Sequence, residues 1–272
     1  MANDEFIRKC ARMTPSMRLD GRSSTEFREV RILPGPLNGQ TSVYIGSTLV
    51  RTTVVGQIVQ PLMDRPNEGR IFFNAEILDI QESGLSDATR SPCDVTSICN
   101  YTERVLRGCK AVDTESLCIL GGKSAWSIRV DMHVVSMDGS LLDACSLGAL
   151  TALLNFRHEA VMIEGGDATV FSAHCREPVH LPLHHLPIST TFVAFDSDES
   201  SRWLADPCKE EEISLDSSFT IACNQHGELC GIHKPGGFPI PQERLTECID
   251  LAVHRAKYVA EVVRKCSGRL IE

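Results

Sequence analysis

Acidic side chains cluster in one stretch of the chain, and such a cluster can hold a divalent metal ion. The stretch contains Asp206, the run Glu210–Glu212 and Asp216. Carboxylate oxygens are the ligands that Mg²⁺ prefers, and bound Mg²⁺ supports phosphoryl chemistry. The same composition is typical of a solvated loop. Composition alone leaves both interpretations open.

A second group of candidate residues is basic. Arg104 and Arg107 lie about one turn apart on a helix that the apolar pattern predicts over residues 94–109, and Lys110 follows it. Two guanidinium groups at this spacing suit bidentate contacts with phosphate. Because Glu103 precedes Arg104, the pattern is also typical of a solvated helix with an arginine–glutamate pair. Taken by itself, the pattern favours the solvated helix.

Histidine and cysteine residues show no motif of a metal site. The chain has 12 cysteines, and no two of them form a Cys-x-x-Cys pair. His180, His184 and His185 lie in a proline-rich segment without cysteine or acidic residues at ligand spacing. We therefore expect no metal and no cofactor. The N-terminus lacks an apolar signal core, so we also expect an intracellular chain with reduced thiols.

Length, composition and charge narrow the class of protein. The chain has 272 residues, of which 42% are hydrophobic and 23% charged, as in an ordinary globular protein of one or two domains. No apolar run approaches the roughly 18 residues of a membrane span, so we expect no membrane partner. Lysine and arginine number 27 against 36 acidic residues, a net charge of −9. Any contact with nucleic acid must therefore come from a local basic patch, or from one shared with a partner subunit.

The pattern of apolar residues predicts an α+β protein with mixed sheets packed against helices. Period-two patterns predict strands over residues 50–59, 70–78, 116–120, 126–137, 188–195, 219–223 and 229–233. Helical patterns cover residues 94–109 and 144–156, and Pro241 opens a long final helix as a first-turn residue. Strands and helices therefore follow one another in blocks rather than in strict alternation.

Several segments, taken in order, carry a family resemblance. They are Arg18-Leu19-Asp20-Gly21-Arg22, Glu68-Gly69-Arg70-Ile71-Phe72-Phe73-Asn74, Asp113-Thr114-Glu115-Ser116-Leu117-Cys118, Trp126-Ser127-Ile128-Arg129-Val130-Asp131, Asp138-Gly139-Ser140, Leu142-Asp143-Ala144, His184-His185-Leu186-Pro187 and Asp206-Pro207. Their order and spacing resemble the RNase PH family, which includes the ring subunits of the RNA exosome. The resemblance covers about residues 15–265. It implies an RNase PH-like fold with an N-terminal arm over 1–17, a first part over 18–177, and a second part over 178–272 that ends in the C-terminal helix.

The resemblance also implies an assembly. Family members pair, and three pairs form a six-membered ring around an RNA channel. The implied partners are other RNase PH-like subunits in a hetero-hexameric ring, cap subunits, a hydrolytic nuclease and single-stranded RNA. The implied role is 3′–5′ RNA processing and degradation, including rRNA maturation and mRNA turnover, in the nucleus (with the nucleolus) and the cytoplasm.

Departures from the family pattern affect the residues that carry the family's chemistry. Active relatives read Asp-Gly-Gly-(Thr/Ser)-Arg in the loop after the long strand, and here Ser140 is followed by Leu141 and Leu142. These leucines replace the hydroxyl and the guanidinium that hold the attacking phosphate. The alignment places Glu212 and Ser218 at the two aspartate positions of the acidic site. Both halves of the site are degenerate, so the resemblance implies a subunit that is not an enzyme.

The resemblance gives the basic residues a second interpretation. Arg104 and Arg107, with Lys110 as a weaker addition, fall where non-catalytic partners in this family contribute side chains to the RNA path. An alternative is a phosphorolytic 3′–5′ exoribonuclease whose active site is shared with a partner subunit. A third hypothesis is a small-molecule enzyme on the same fold.

Overall fold

The computed structural model describes residues 18–78, 94–164, 167–171, 175–194, 203–214 and 217–267. The predicted arm over residues 1–17 lies outside these ranges, and so does Asp216. Within them, no helix combines the length and the apolar character that crossing a membrane requires. The predicted division of the chain at residue 177 stays a prediction.

A mixed sheet forms the first half of the described fold. It contains β1 (Val30–Pro34), β2 (Gln40–Ile45), β3 (Thr48–Val59), β4 (Arg70–Ile77), β5 (Cys118–Leu120) and β6 (Ser124–Ser136). The strand order is β1-β2-β3-β6-β4, with β5 paired to the start of β6. β4 runs parallel to β6, and the other pairs are antiparallel. In β6 the predicted alternation is confirmed, because the side chains from Trp126 to Val134 that share its apolar face are all buried.

Two helices pack in this half, α1 (Val95–Gly108) and α2 (Leu141–Asn155). α2 is buried on nearly every side and contacts β2, β3 and β6. It begins at Leu141, before the predicted start at residue 144, so Leu141 and Leu142 lie in its first turn and not in the loop where we expected them. The turn before it is tight: Gly139 has a φ of +77°, and a Cβ there would lie 2.3 Å from the carbonyl oxygen of Pro207.

Short antiparallel pairs connect the two halves. β7 (Arg157–His158) pairs with β10 (Val179–His180), and β8 (Ala160–Glu164) pairs with β9 (Asp167–Phe171). The sequence analysis did not predict these strands. Their apolar residues bury no common face, since Ile163 and Val170 are exposed, so the alternation that marks a half-buried strand is missing.

A second, antiparallel sheet forms the other half. It contains β11 (Ile188–Ala194), β12 (Trp203–Ala205), β13 (Ser217–Cys223) and β14 (Leu229–His233), in the order β12-β11-β13-β14. The short helix α3 (Lys209–Ser214) precedes β13, and the long helix α4 (Gln242–Ser267) packs on β1, β11 and β13. Because α2 also contacts β11, it lies between the two sheets and joins their cores. This α+β arrangement of mixed sheets and helices confirms the predicted fold class.

Candidate functional site

A cavity of about 290 Å³ lies between the start of α1, the start of α2 and the second sheet. It brings together the four residues that the resemblance placed at the degenerate phosphate and acidic sites: Leu141, Leu142, Glu212 and Ser218. Its lining also includes Asp94, Ser97, Thr191, Thr220, His233 and Pro235. Segments far apart in sequence therefore meet at one place in the fold.

The start of α2 forms the apolar side of this cavity. Leu141 and Leu142 are only 2% and 7% exposed, and their side chains offer no polar atom. A helix N-terminus binds anions through its free N–H groups. Here the N–H of Ser140 donates to Glu212 Oε1 at 2.7 Å, and the Ser140 hydroxyl donates to Asp206 Oδ1 at 2.8 Å. Protein carboxyl groups thus occupy positions where an anion would be bound.

The ionisable groups of the cavity carry little positive charge. Burial raises the pKa of Glu212 to about 8, which favours its neutral form at neutral pH. Burial, together with the nearby charge of Arg104, lowers the pKa of His233. Among the described residues that line the cavity there is no arginine or lysine. The described lining therefore offers no permanent cation to a phosphate ion.

A buried carboxyl lies behind the cavity wall. Asp143 accepts the backbone N–H and the hydroxyl of Thr191, each at 2.8 Å. The Thr191 hydroxyl is also 2.9 Å from that of Thr220. Burial raises the pKa of Asp143 to about 7. These bonds satisfy the carboxyl within the protein and fix β11 against α2.

In the described part of the acidic stretch, Asp206 and Glu211 are buried and form ion pairs with arginines. Asp206 is buried and binds the guanidinium of Arg28 at 2.6 Å and that of Arg22 at 3.3 Å. Burial opposes ionisation of Asp206, but the bonds from Arg28 outweigh it and lower the pKa of Asp206 to about 2. Glu211 accepts two bonds from Arg18, at 2.6 and 3.0 Å. This network fixes the Arg18–Arg22 segment to the second half of the fold.

The basic candidates lie on the exposed end of α1. Arg104 and Arg107 are exposed, and Arg107 Nη1 pairs with Glu103 Oε1 at 2.9 Å, as the pattern of a solvated helix predicts. Lys110 is also exposed and has a φ of +56°, and its N–H donates to the carbonyl of Arg107 at 3.1 Å. This left-handed residue ends the helix. The end of α1 therefore presents three cations to solvent beside one carboxylate.

Two further arginines lie next to this surface, and the sequence analysis missed both. Arg65 and Arg70 line a groove of about 350 Å³ together with Arg107, beside Glu68 and Glu103. They come from the segment before β4 and from its first residue, so their spacing in the sequence gives no sign of the contact. The groove has more positive than negative side chains.

One of the three clustered histidines lies beside two thiols. His185 has Cys109 and Cys230 as neighbours, with one ligand atom from each residue within 4.8 Å of the others. The sequence analysis missed this group because its members come from three distant segments. The expectation of no metal site stays a prediction.

Comparison with known proteins agrees with the fold. Two models of the 3′ exoribonuclease family match, domain 1 over residues 26–159 and domain 2 over residues 185–255. The chain is 38% identical over 248 residues to the exosome complex component RRP45 of Danio rerio, which covers 91% of the chain. The chain spans 62% of the length of that relative.

A yeast relative and a solved structure extend the comparison over the whole fold. The exosome complex component rrp45 of Schizosaccharomyces pombe is 32% identical over 263 residues, which make up 97% of this chain and 89% of the relative. The structure of an Archaeoglobus fulgidus exosome with RNA bound to the active site superposes with a TM-score of 0.78 at 27% identity, over 96% of this chain and 99% of that one. The chain therefore belongs to the 3′ exoribonuclease family, the RNase PH family.

Proposed function

We propose that this chain is a non-catalytic ring subunit of the RNA exosome. It scaffolds the six-membered ring and lines the RNA path for 3′–5′ RNA processing and degradation, including rRNA maturation and mRNA turnover. The observation that carries the proposal is the wall formed by Leu141 and Leu142 in the cavity. Phosphorolysis requires a bound phosphate ion, and neither leucine side chain can donate a hydrogen bond or offer a charge to it.

The exposed end of α1 supports the RNA-lining part of the proposal. Arg104, Arg107 and Lys110 are all exposed, and Arg65 and Arg70 extend the basic surface into the adjacent groove. A chain with a net charge of −9 can bind RNA through such a local surface. Contacts with phosphates, which read no sequence, are sufficient to guide a single strand.

An exposed sheet edge supports the scaffolding part. β4 lies at the edge of the first sheet, among the described strands. Phe72 in β4 is 51% exposed, and Met63 in the segment that precedes β4 is 97% exposed. Exposed strand edges and apolar side chains are typical of surfaces that another subunit covers. The proposed partners are other RNase PH-like subunits, cap subunits and a hydrolytic nuclease that cuts the RNA.

Affinity purification tests the proposed assembly directly. The tagged chain is purified from its native cells, and the co-purifying proteins are quantified by mass spectrometry. We expect the other RNase PH-like ring subunits in equal amounts, with cap subunits and a nuclease. Recovery of the chain alone, or as a dimer of itself, would contradict the proposal. Fluorescence microscopy of the tagged chain tests the proposed nuclear, nucleolar and cytoplasmic localisation.

One observation favours the alternative enzyme. The cavity keeps the carboxyl group of Glu212, which a partner subunit could complement with cations of its own. In that case the assembled ring, but not the isolated chain, would release nucleoside diphosphates from RNA in a manner that depends on Glu212. Activity of this kind distinguishes the two functions.

A further inference from the structure

Two thiols and an imidazole meet at a point where three elements come together, away from the cavity. Cys109 directly follows α1, His185 lies in the segment before β11, and Cys230 lies in β14. The two sulphur atoms and a ring nitrogen of His185 all lie within 4.8 Å of one another. All three residues are half-buried. They are therefore shielded from bulk solvent while an ion can still reach them.

The side-chain types in this group are those that zinc prefers. Thiolate sulphur and imidazole nitrogen are the usual ligands of zinc, whereas Mg²⁺ and Ca²⁺ take oxygen ligands. In a tetrahedral zinc site, Zn–S distances of about 2.3 Å place two sulphur ligands about 3.8 Å apart. The upper limit of 4.8 Å on the present spacing of the ligand atoms is about 1 Å longer than that distance.

Both thiols of the group donate to backbone carbonyl oxygens. The thiol of Cys109 donates to the carbonyl of Val105, one turn back in α1, and the thiol of Cys230 donates to the carbonyl of Glu228 at 3.8 Å. These bonds hold the two sulphur atoms near His185. A metal ion that binds here displaces both thiol protons, because thiolate is the form of cysteine that binds metals.

We propose that Cys109, His185 and Cys230 bind a zinc ion, with water at the fourth position. On binding, both thiols release their protons to solvent, and His185 binds through its unprotonated ring nitrogen. The charge of Zn²⁺ is then balanced by the two thiolates. No oxidation or reduction takes place. Three protein ligands and a water are an established coordination pattern for zinc in proteins.

The proposed ion would link the two halves of the fold. Cys109 ends α1, which belongs to the first half, and Cys230 belongs to the second sheet. The rings of Tyr101 and His233 join the same two elements, with centroids 5.4 Å apart. Zinc would strengthen this junction, and since Cys109 lies between Arg107 and Lys110, it would fix the basic end of α1. The consequence for RNA rests on the proposed function, whereas the zinc site does not.

Metal titration of the purified full-length chain tests the proposal. The chain is reduced, stripped with a chelator and titrated with Zn²⁺ or Co²⁺, and bound metal is counted by elemental mass spectrometry. We expect one ion per chain, a Co²⁺ spectrum of tetrahedral type with thiolate charge-transfer absorption, and a higher unfolding temperature with Zn²⁺. These results need no variant, and they need neither RNA nor partner subunits, so failure of the proposed function would leave them unchanged.

Variants identify the ligands. Cys109→Ser and Cys230→Ser should each weaken Zn²⁺ binding by about 100-fold and reduce the thiolate absorption. His185→Ala should weaken binding while leaving that absorption in place at saturating Co²⁺. Cys118→Ser, another half-exposed thiol, and His184→Ala, the neighbouring imidazole, are matched controls that should bind as the wild type does.

Three results would overturn the proposal. The first is the absence of stoichiometric metal binding by the folded, reduced chain. The second is a Co²⁺ spectrum that Cys109→Ser and Cys230→Ser leave unchanged. The third is a disulfide between Cys109 and Cys230, found by mass spectrometry in protein alkylated at lysis, since that bond would remove both thiolates in the cell.

Discussion

The two ends of α1 face different surroundings. At its start, Asp94 and Ser97 line a cavity whose apolar side is formed by leucines. The carboxyl group of Glu212 in this cavity has a raised pKa. At its end, Arg104 and Arg107 stand in solvent beside a basic groove. Holding a phosphate ion for reaction requires cations fixed inside a cavity, whereas guiding an RNA strand requires only exposed charges. Under the proposed function, this chain lacks the fixed cations and keeps the exposed charges.

Breaking the ion pair behind the cavity should have the largest effect. In Arg28→Met, the buried carboxylate of Asp206 loses the guanidinium that binds it at 2.6 Å. We expect the free energy of unfolding to fall by about 3–5 kcal/mol, because an uncompensated charge stays buried. Urea denaturation measures the change. Arg31→Ala is the matched control: Arg31 pairs with Glu29 on the surface, and its removal should leave the free energy of unfolding nearly unchanged. Equal effects of the two substitutions would contradict the structural role of Asp206.

The carboxyl in the cavity should make stability depend on pH. Burial raises the pKa of Glu212 to about 8, against about 4.3 in the unfolded chain, so the folded state binds the proton more tightly. The stabilisation is complete below the unfolded pKa and is lost as the pH rises through the folded pKa. Between about pH 5 and pH 8, the wild type should lose on the order of 3–4 kcal/mol relative to Glu212→Gln, which keeps an acceptor for Ser140 but does not titrate.

Chemical denaturation of both proteins across this pH range measures that difference. Asp143, whose pKa is also raised, titrates in both proteins, so its contribution cancels to first order. If the difference in unfolding free energy between the wild type and Glu212→Gln stays constant with pH, Glu212 is ionised in the folded chain. The cavity would then carry a permanent negative charge.

Removing the exposed arginines should weaken RNA binding with little effect on folding. We expect Arg104→Ala/Arg107→Ala to lower the affinity of the reconstituted ring for single-stranded RNA by about tenfold, because charge-assisted hydrogen bonds to phosphate are removed. The slope of log affinity against log salt should fall by about 0.7 for each RNA phosphate that the variant no longer neutralises. Fluorescence anisotropy measures both quantities, with Arg31→Ala as the exposed control. Unchanged affinity would exclude this surface from the RNA path.

Freeing one of these arginines should have the smallest effect, in the opposite direction. Glu103 pairs with Arg107 at 2.9 Å on the surface. In Glu103→Gln, the carboxylate that competes with RNA phosphates for Arg107 is removed. We expect RNA affinity to rise about twofold, since an exposed ion pair contributes only a small energy. The same anisotropy assay detects the change at low salt. A fall in affinity would show that Glu103 itself supports binding.

Local pattern in the sequence was sufficient to predict most of the fold. The strict alternation along β6 and the single apolar face of α4 each match a predicted element closely. The pattern was misleading at the start of α2. The sequence analysis places the two leucines after Ser140 in a loop, but they begin the helix. No cap side chain marks this helix start, because two left-handed residues form the turn that ends at Ser140.

Contacts between distant segments could not be predicted from the sequence. Arg18 and Glu211 are 193 positions apart, and Arg28 and Asp206 are 178 apart, so no local pattern links them. The resemblance did assign Leu141, Leu142, Glu212 and Ser218 to one family site, and the fold brings these four residues to one cavity. The group of Cys109, His185 and Cys230 gave no such signal, since neither periodicity nor motif spacing connects its members.

Phosphorolysis by the assembled ring tests the central claim most directly. The chain is reconstituted with its RNase PH-like partners, either as the wild type or as Glu212→Gln/Ser218→Ala, and nucleoside diphosphate release from single-stranded RNA is followed as inorganic phosphate is raised. Size-exclusion chromatography confirms that both rings assemble. We predict that the two rings release nucleoside diphosphates at the same rate, whether that rate is zero or is set by a partner subunit. Phosphate-dependent release that is abolished in the double variant, while assembly and RNA binding persist, would contradict the account.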